Sequence, residues 1–125
     1  MDYLLVFLGG GTGAALRHWF NGVALTLWGP NYPWGTLLIN VSGSLLMGVV
    51  VELAALKIGM TAHVRLFVAT GILGGYTTFS TFSLESGILH ARGDTFLAIT
   101  YALASMVLGV MGFFVGMHGV RAIST

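Results

Sequence analysis

Between Tyr3 and Val120 the chain offers four long apolar stretches, separated by three short polar or turn-forming connections, with almost no charge to accompany them. Charged residues make up 7% of the sequence, against roughly 25% in a soluble domain. Such a chain cannot face water on all sides. A helix that crosses the hydrocarbon core of a bilayer needs about 20 predominantly apolar residues, so four crossings use about 80. In a chain of 125 residues that leaves short loops and no room for a second domain. The expected fold is an all-α membrane protein in which residues 1–125 form a single four-helix transmembrane domain. Its spans are expected at 3–28, 34–56, 64–90 and 95–120.

The punctuation agrees with that division. Gly29-Pro30-Asn31-Tyr32-Pro33 reads as a turn, because proline fixes its own φ and pushes the residue before it out of the helical region. Lys57 to His63 is a short polar connection around Gly59, and Arg92-Gly93-Asp94 is a turn. Trp28, Tyr32 and Trp34 gather at one expected helix end, as an interfacial aromatic belt does. The start carries Asp2 where a cleaved signal would carry basic residues, so it reads as the first span. The absence of cysteine excludes disulfide and thiol chemistry. A net charge of +1 with no basic patch argues against a nucleic-acid partner.

The third stretch differs from the others. Gly71, Gly74 and Gly75 are followed by Tyr76-Thr77-Thr78-Phe79-Ser80-Thr81-Phe82-Ser83, a run of poor helix formers. A break near Gly74–Thr78 would free backbone carbonyls at membrane depth, which is tolerated only where protein, water or an ion satisfies them. This segment therefore reads as an ion site or a pore lining. The competing reading is a continuous helix whose small residues permit close packing.

Charge placement bears on orientation. The side shared by the N-terminus, the 57–63 connection and the C-terminus carries Lys57, Arg65 and Arg121; the other carries Arg92, with Arg17 if it counts as close to its helix end. This is a weak positive-inside bias. It allows insertion in either orientation and pairing of opposed copies, or a single orientation with a modest preference.

Few residues could carry chemistry. Arg17, within the first span, faces a cavity or a partner; it either draws anions into a vestibule or snorkels to the interface. Thr36, Asn40 and Ser44 are spaced to share one helical face, so Asn40 reads as an anion donor or an interhelical hydrogen bond. Tyr101, Ser105, Gly109, Gly112 and Gly116 trace a face of the fourth helix, where the hydroxyls suit a narrow polar track and the glycines suit close packing. Phe79 and Phe82 share a face. Their electropositive ring edges would contact an anion weakly enough to let it leave, although phenylalanines in membrane helices usually just pack. Glu85 lies one turn after Thr81, at a pore mouth or at the headgroup level, and Glu52 reads as interfacial. Metal-binding and catalytic signatures are missing, and the four histidines are scattered near helix ends; the chain does not read as an enzyme.

Three motifs now stand together: Gly9-Gly10-Gly11-Thr12-Gly13-Ala14-Ala15-Leu16-Arg17, Gly35-Thr36-Leu37-Leu38-Ile39-Asn40, and Gly74-Gly75-Tyr76-Thr77-Thr78-Phe79-Ser80-Thr81-Phe82-Ser83-Leu84-Glu85. Through them the chain resembles the Fluc (CrcB) family of fluoride channels along nearly its whole length, the third motif being the most specific. The resemblance implies an antiparallel, dual-topology homodimer in the plasma (inner) membrane with two pores for fluoride. It also implies a structural sodium ion at the dimer centre, held by the carbonyls of Gly74 and Thr77 of each copy. It assigns Phe79 and Phe82 to the pore lining, Asn40 to the pore amide, Tyr101 and Ser105 to the start of the polar track, and Arg17 to the vestibule. Thr81 and Glu85 would lie beside the track, with Ser83 in the same pore segment. One departure is visible: Gly109 stands where some relatives are expected to have a second serine, which shortens the track. His18 after the arginine is also unusual.

Two rival functions remain. A small proton-coupled drug transporter needs a membrane-buried carboxylate, and the first helix has only terminal Asp2 as an acid. A non-transporting accessory protein would account for the glycine stripes but not for the alignment of Asn40, Tyr101 and Ser105.

Overall fold

The first helix, α1 (Asp2–Trp28), starts with an acid in its first turn, which the positive end of the helix dipole favours. It stops at Gly29, whose φ of 74° only glycine adopts freely and whose N–H donates to Leu25 O. Pro33 precedes α2 (Trp34–Ala55). The computed structural model, which describes residues 1–125, then has a helical stretch α3 over 62–76. It consists of an α turn Ala62–Arg65, a wider π-helical segment Leu66–Leu73 and a last turn Gly74–Tyr76. Thr61 caps it by accepting from Val64 N–H at 3.2 Å. Two extended residues, Thr77 and Thr78, separate it from α4 (Phe79–Ala91), and α5 (Thr95–Ile123) closes the chain. The break lies at the C-terminal edge of the expected 74–78 window, since Gly74–Tyr76 is still helical.

Two pairs of elements make the bundle. α1 packs on α3, and a Cβ on Gly9 would sit 2.6 Å from Phe67 O, while one on Gly13 would collide with Ile72 O. α2 packs on α5, where Gly48 faces Phe113 O and Gly116 faces Leu45 O with no room for a side chain. The close-packing reading of the glycines of α5 holds for Gly112 and Gly116. A small cluster of Leu37, Leu89, Ala98 and Tyr101 ties α4 to the α2–α5 pair.

Little is buried beyond that. Phe7 is 76% exposed, Phe96 81% and Val115 61%. Apolar surface of this extent requires a lipid or protein neighbour. α2 and α5 are each long and apolar enough to cross a bilayer as single helices. The third stretch is divided by its break, and α1 carries polar residues and glycines. The protein is an all-helical membrane protein.

Glu52 stands in the last turn of α2. It is 2% exposed, and its carboxylate accepts from Arg121 Nε at 2.8 Å, which joins the ends of α2 and α5.

Candidate functional site

The break is held open by one side chain. Thr77 (φ −78°, ψ 155°) and Thr78 (φ −151°, ψ 126°) are both extended, a conformation that suits β-branched residues. Thr78 N–H donates to Asn40 Oδ1 at 2.8 Å, and Asn40 Nδ2 donates to Thr78 O at 2.9 Å. The asparagine thus pairs with the extended backbone as a neighbouring strand would. Thr78 Oγ1 then caps α4 by accepting from Thr81 N–H at 3.3 Å.

The break leaves several carbonyls without their helical partners, those of Gly74 and Thr77 among them. The N–H that an α-helix would direct to Gly74 O is that of Thr78, now on Asn40; the one for Thr77 O is that of Thr81, now on Thr78 Oγ1. Neutral backbone oxygens freed in this way suit a small monovalent cation, since carbonyls can replace its hydration shell. The donor chemistry of Gly74 and Thr77 therefore fits sodium. Arg17 reaches the same place from α1, with Nη1 3.4 Å from Thr77 O; any cation there would share that oxygen with the guanidinium.

Beside the break lies a groove of about 670 Å³. Its walls include Asn40 and Ser44 of α2, Thr78, Phe79 and Phe82 at the break and start of α4, and Ser105 of α5. The two rings lie 5.5 Å apart between centroids. Phe79 is 78% exposed, so the groove is open along that flank. The Ser105 hydroxyl is buried and has no hydrogen-bond partner within the chain. Asn40 uses one of its two amide hydrogens on Thr78 and keeps the other. No charged side chain lines this groove.

The remaining expected site residues stand outside that wall. Tyr101 is fully buried; its ring packs 5.3 Å from Phe82, and its hydroxyl donates to Glu85 Oε2 at 2.8 Å. Thr36 donates to the other Glu85 oxygen, also at 2.8 Å. Thr36, Tyr101 and Glu85 thus form a closed hydrogen-bonded unit behind Phe82. Of the Thr36–Asn40–Ser44 stripe, only Asn40 and Ser44 line the groove. The Thr81 hydroxyl accepts from Thr78 Oγ1, and Ser83 Oγ folds back onto Phe79 O at 3.0 Å on an exposed surface. A separate hollow of about 360 Å³ lies on the far side of Glu85, against Asn21, Thr36 and Arg92. In the turn at its mouth, burial pushes the Tyr32 hydroxyl above its ordinary pKa of 10.0.

The role of Thr78 as both clamp partner and cap was not read from the sequence. The signal was available, as Asn40 stands alone as an amide in an apolar span and must find a partner. The closure of Glu85 by Thr36 and Tyr101 joins residues 49 and 16 positions apart in the chain, and no spacing rule connects them.

Comparison with known proteins adds to this geometry. The family model described as "CrcB-like protein, Camphor Resistance (CrcB)" matches residues 4–117. A protein named fluoride-specific ion channel FluC from Rhodopseudomonas palustris (strain BisB5) is 52% identical over 124 residues, covering 99% of this chain and 100% of the relative. One named fluoride-specific ion channel FluC 2 from Nitrobacter hamburgensis is 50% identical over 121 residues, covering 97% and 98%. Another FluC, from Granulibacter bethesdensis, is 52% identical over 124 residues, covering 98% and 97%.

Proposed function

The chain belongs to the CrcB-like family, and on that premise we propose that it is a passive, fluoride-selective channel that discharges cytoplasmic fluoride through the plasma membrane. The observation that carries the reading is the groove beside the break, which Phe79, Phe82, Asn40 and Ser105 line together and where the buried Ser105 hydroxyl has no hydrogen-bond partner. The names of relatives that align over nearly the full chain point the same way.

The chemistry suits a small, strongly hydrated anion. Leaving water is costly unless donors replace the lost hydrogen bonds. Ser105, the free N–H of Asn40 and the positive ring edges of Phe79 and Phe82 supply such replacements. All are neutral, so none creates the deep well that would trap the ion, and binding stays weak enough for release. Arg17 stands on the α1 side of the break and raises the potential for anions without entering the groove. The direction of flow follows from physics alone. Fluoride enters from acid surroundings as its neutral acid, ionises inside and is trapped; the membrane potential then favours anion exit.

In this reading the open flank of the groove is closed by a second, antiparallel copy, so that each pore uses residues of both chains. The carbonyls of Gly74 and Thr77 from each copy would hold one sodium ion between them. The rival proton-coupled transporter finds less support: both oxygens of Glu85 accept hydrogen bonds within the fold, and Glu52 is paired with Arg121.

The test is passive efflux from fluoride-loaded liposomes, followed with a fluoride electrode after a potassium ionophore is added, beside a chloride-loaded sample. Fast fluoride release with little chloride release is expected. No release of either ion from folded protein would overturn the reading and favour an accessory role.

A further inference from the structure

Many hydroxyls of this protein follow one pattern, while others, such as Thr36, Thr78 and Thr95, bond to other side chains. Thr12, Thr26, Ser42, Ser83, Ser86 and Thr100 each fold back to donate to a carbonyl three or four residues earlier in their own helix. This is the ordinary resting place of a hydroxyl in an apolar helix. Ser105 does not do so, and neither does Ser44, for which no hydrogen bond forms within the chain. Both line the same groove, from opposite walls.

Their relative heights follow from the packing of α2 on α5. Val41 meets Gly112 and Leu45 meets Gly116, so the two helices run in the same direction. Asn40 and Ser105 both line the groove. One turn further along each helix stand Ser44 and Gly109, and a Cβ built on Gly109 would lie 3.7 Å from Ser44 Oγ. Past them the walls are Met47, Val110 and Phe113. Four residues of helix advance about 6 Å along the axis. At the Ser44 level, α5 therefore offers a bare backbone and α2 offers the last hydroxyl before an apolar reach.

We propose that Ser44 is an anion-contacting residue of the groove, which takes up the ion after Asn40 and Ser105 and supplies the hydroxyl that Gly109 does not. The inference rests on the fluoride reading above. A hydroxyl with no internal bond can turn its proton to an anion without breaking anything first. Without it, the ion would pass directly from Ser105 to thioether and hydrocarbon walls, where nothing replaces its water.

The test uses the full chain in liposomes: wild type, Ser44→Ala, the double variant Ser44→Ala with Gly109→Ser, and Ser86→Ala as a hydroxyl outside the groove. Alanine is the better helix former, so Ser44→Ala is not expected to disturb α2. A serine at position 109 meets only ordinary contact distance. Losing one hydrogen bond to a charged partner is expected to slow fluoride efflux about tenfold or more in Ser44→Ala. The double variant should regain most of that loss, with Ser86→Ala at the wild-type rate. Wild-type efflux in Ser44→Ala would overturn the inference and leave the channel reading intact. So would a slow double variant that elutes as folded protein, because Ser44 would then be structural. A wild-type protein that releases no fluoride would overturn the channel reading itself.

Discussion

Asn40 carries two tasks that a single amide can combine. Its carbonyl and one N–H hold Thr78 in the extended conformation, and its second N–H remains for the groove. Asn40→Ala would leave both backbone groups of Thr78, a residue only 8% exposed, without partners. Each orphaned group costs about 1–3 kcal/mol, so a clear drop in the midpoint of thermal unfolding in detergent is expected, together with loss of efflux. Asn40→Asp should not rescue either, because its second oxygen would face Thr78 O and cannot donate. Phe82 tests the opposite case. It packs on Tyr101 and Phe79, and isoleucine keeps most of that apolar volume while removing the ring edge. Phe82→Ile should unfold near the wild-type midpoint yet conduct fluoride about tenfold more slowly, the scale of one aromatic contact. Unchanged efflux in the folded variant would remove Phe82 from the pore. At this scale the sequence showed which residues were unusual, namely an amide, hydroxyls and paired rings in apolar spans. It did not show their partners. Tyr101 looked like a lining residue by helical spacing, but the spacing did not show that its hydroxyl donates to Glu85.

Among the elements, the glycines divide into those that set helix distance and those that do not. Gly116 lies against Leu45 O, whereas a Cβ on Gly119, one turn on along α5, would meet nothing within 4 Å. Gly116→Ala must push α5 away from α2 or distort one backbone, and overpacking of this kind costs about 1–3 kcal/mol. Gly119→Ala should be neutral or stabilising by up to about 1 kcal/mol, the helix-propensity gain. Comparing the two unfolding midpoints checks both, and equal midpoints would mean that α2 and α5 are not so closely held. The helix ends were legible because Gly29, Pro30, Pro33, Gly59 and Gly93 mark them with local chemistry. The break was legible as a region, since Gly-Gly followed by threonines weakens a helix. Its position at Thr77–Thr78 was not, because it is decided by Asn40 on another helix. The π-helical segment Leu66–Leu73 had no signal in the sequence. It coincides with the face on which α1 brings Gly9 and Gly13 against α3, a tertiary constraint that no local propensity records.

For the whole molecule, the proposed function assigns the open flank at Phe79 and the freed carbonyls at the break to one and the same partner, a second copy placed in the opposite sense. Sodium should bind only where four such carbonyls meet. Purification with sodium replaced by a larger cation is therefore expected to weaken the dimer in size-exclusion chromatography, and equal dimer in both salts would count against the ion. The opposed arrangement makes a further demand on insertion. Lys57, Arg65 and Arg121 stand against Arg92 and Arg17, a weak bias that allows insertion in either sense or a single orientation with a modest preference. The chain has no cysteine, so Ser124→Cys in the exposed C-terminal stub introduces a single thiol that reports which side that terminus occupies. An impermeant maleimide added to intact cells should label about half of the chains, as equal insertion in both senses requires. Labelling of all or none would mean one orientation and would exclude the antiparallel pair. Adding two lysines after Ile123 should tip the balance toward a cytoplasmic C-terminus, lowering both the labelled fraction and the efflux. If the labelling shifted while efflux stayed the same, conduction would not depend on opposed copies, and the groove would have to be closed by something other than this chain.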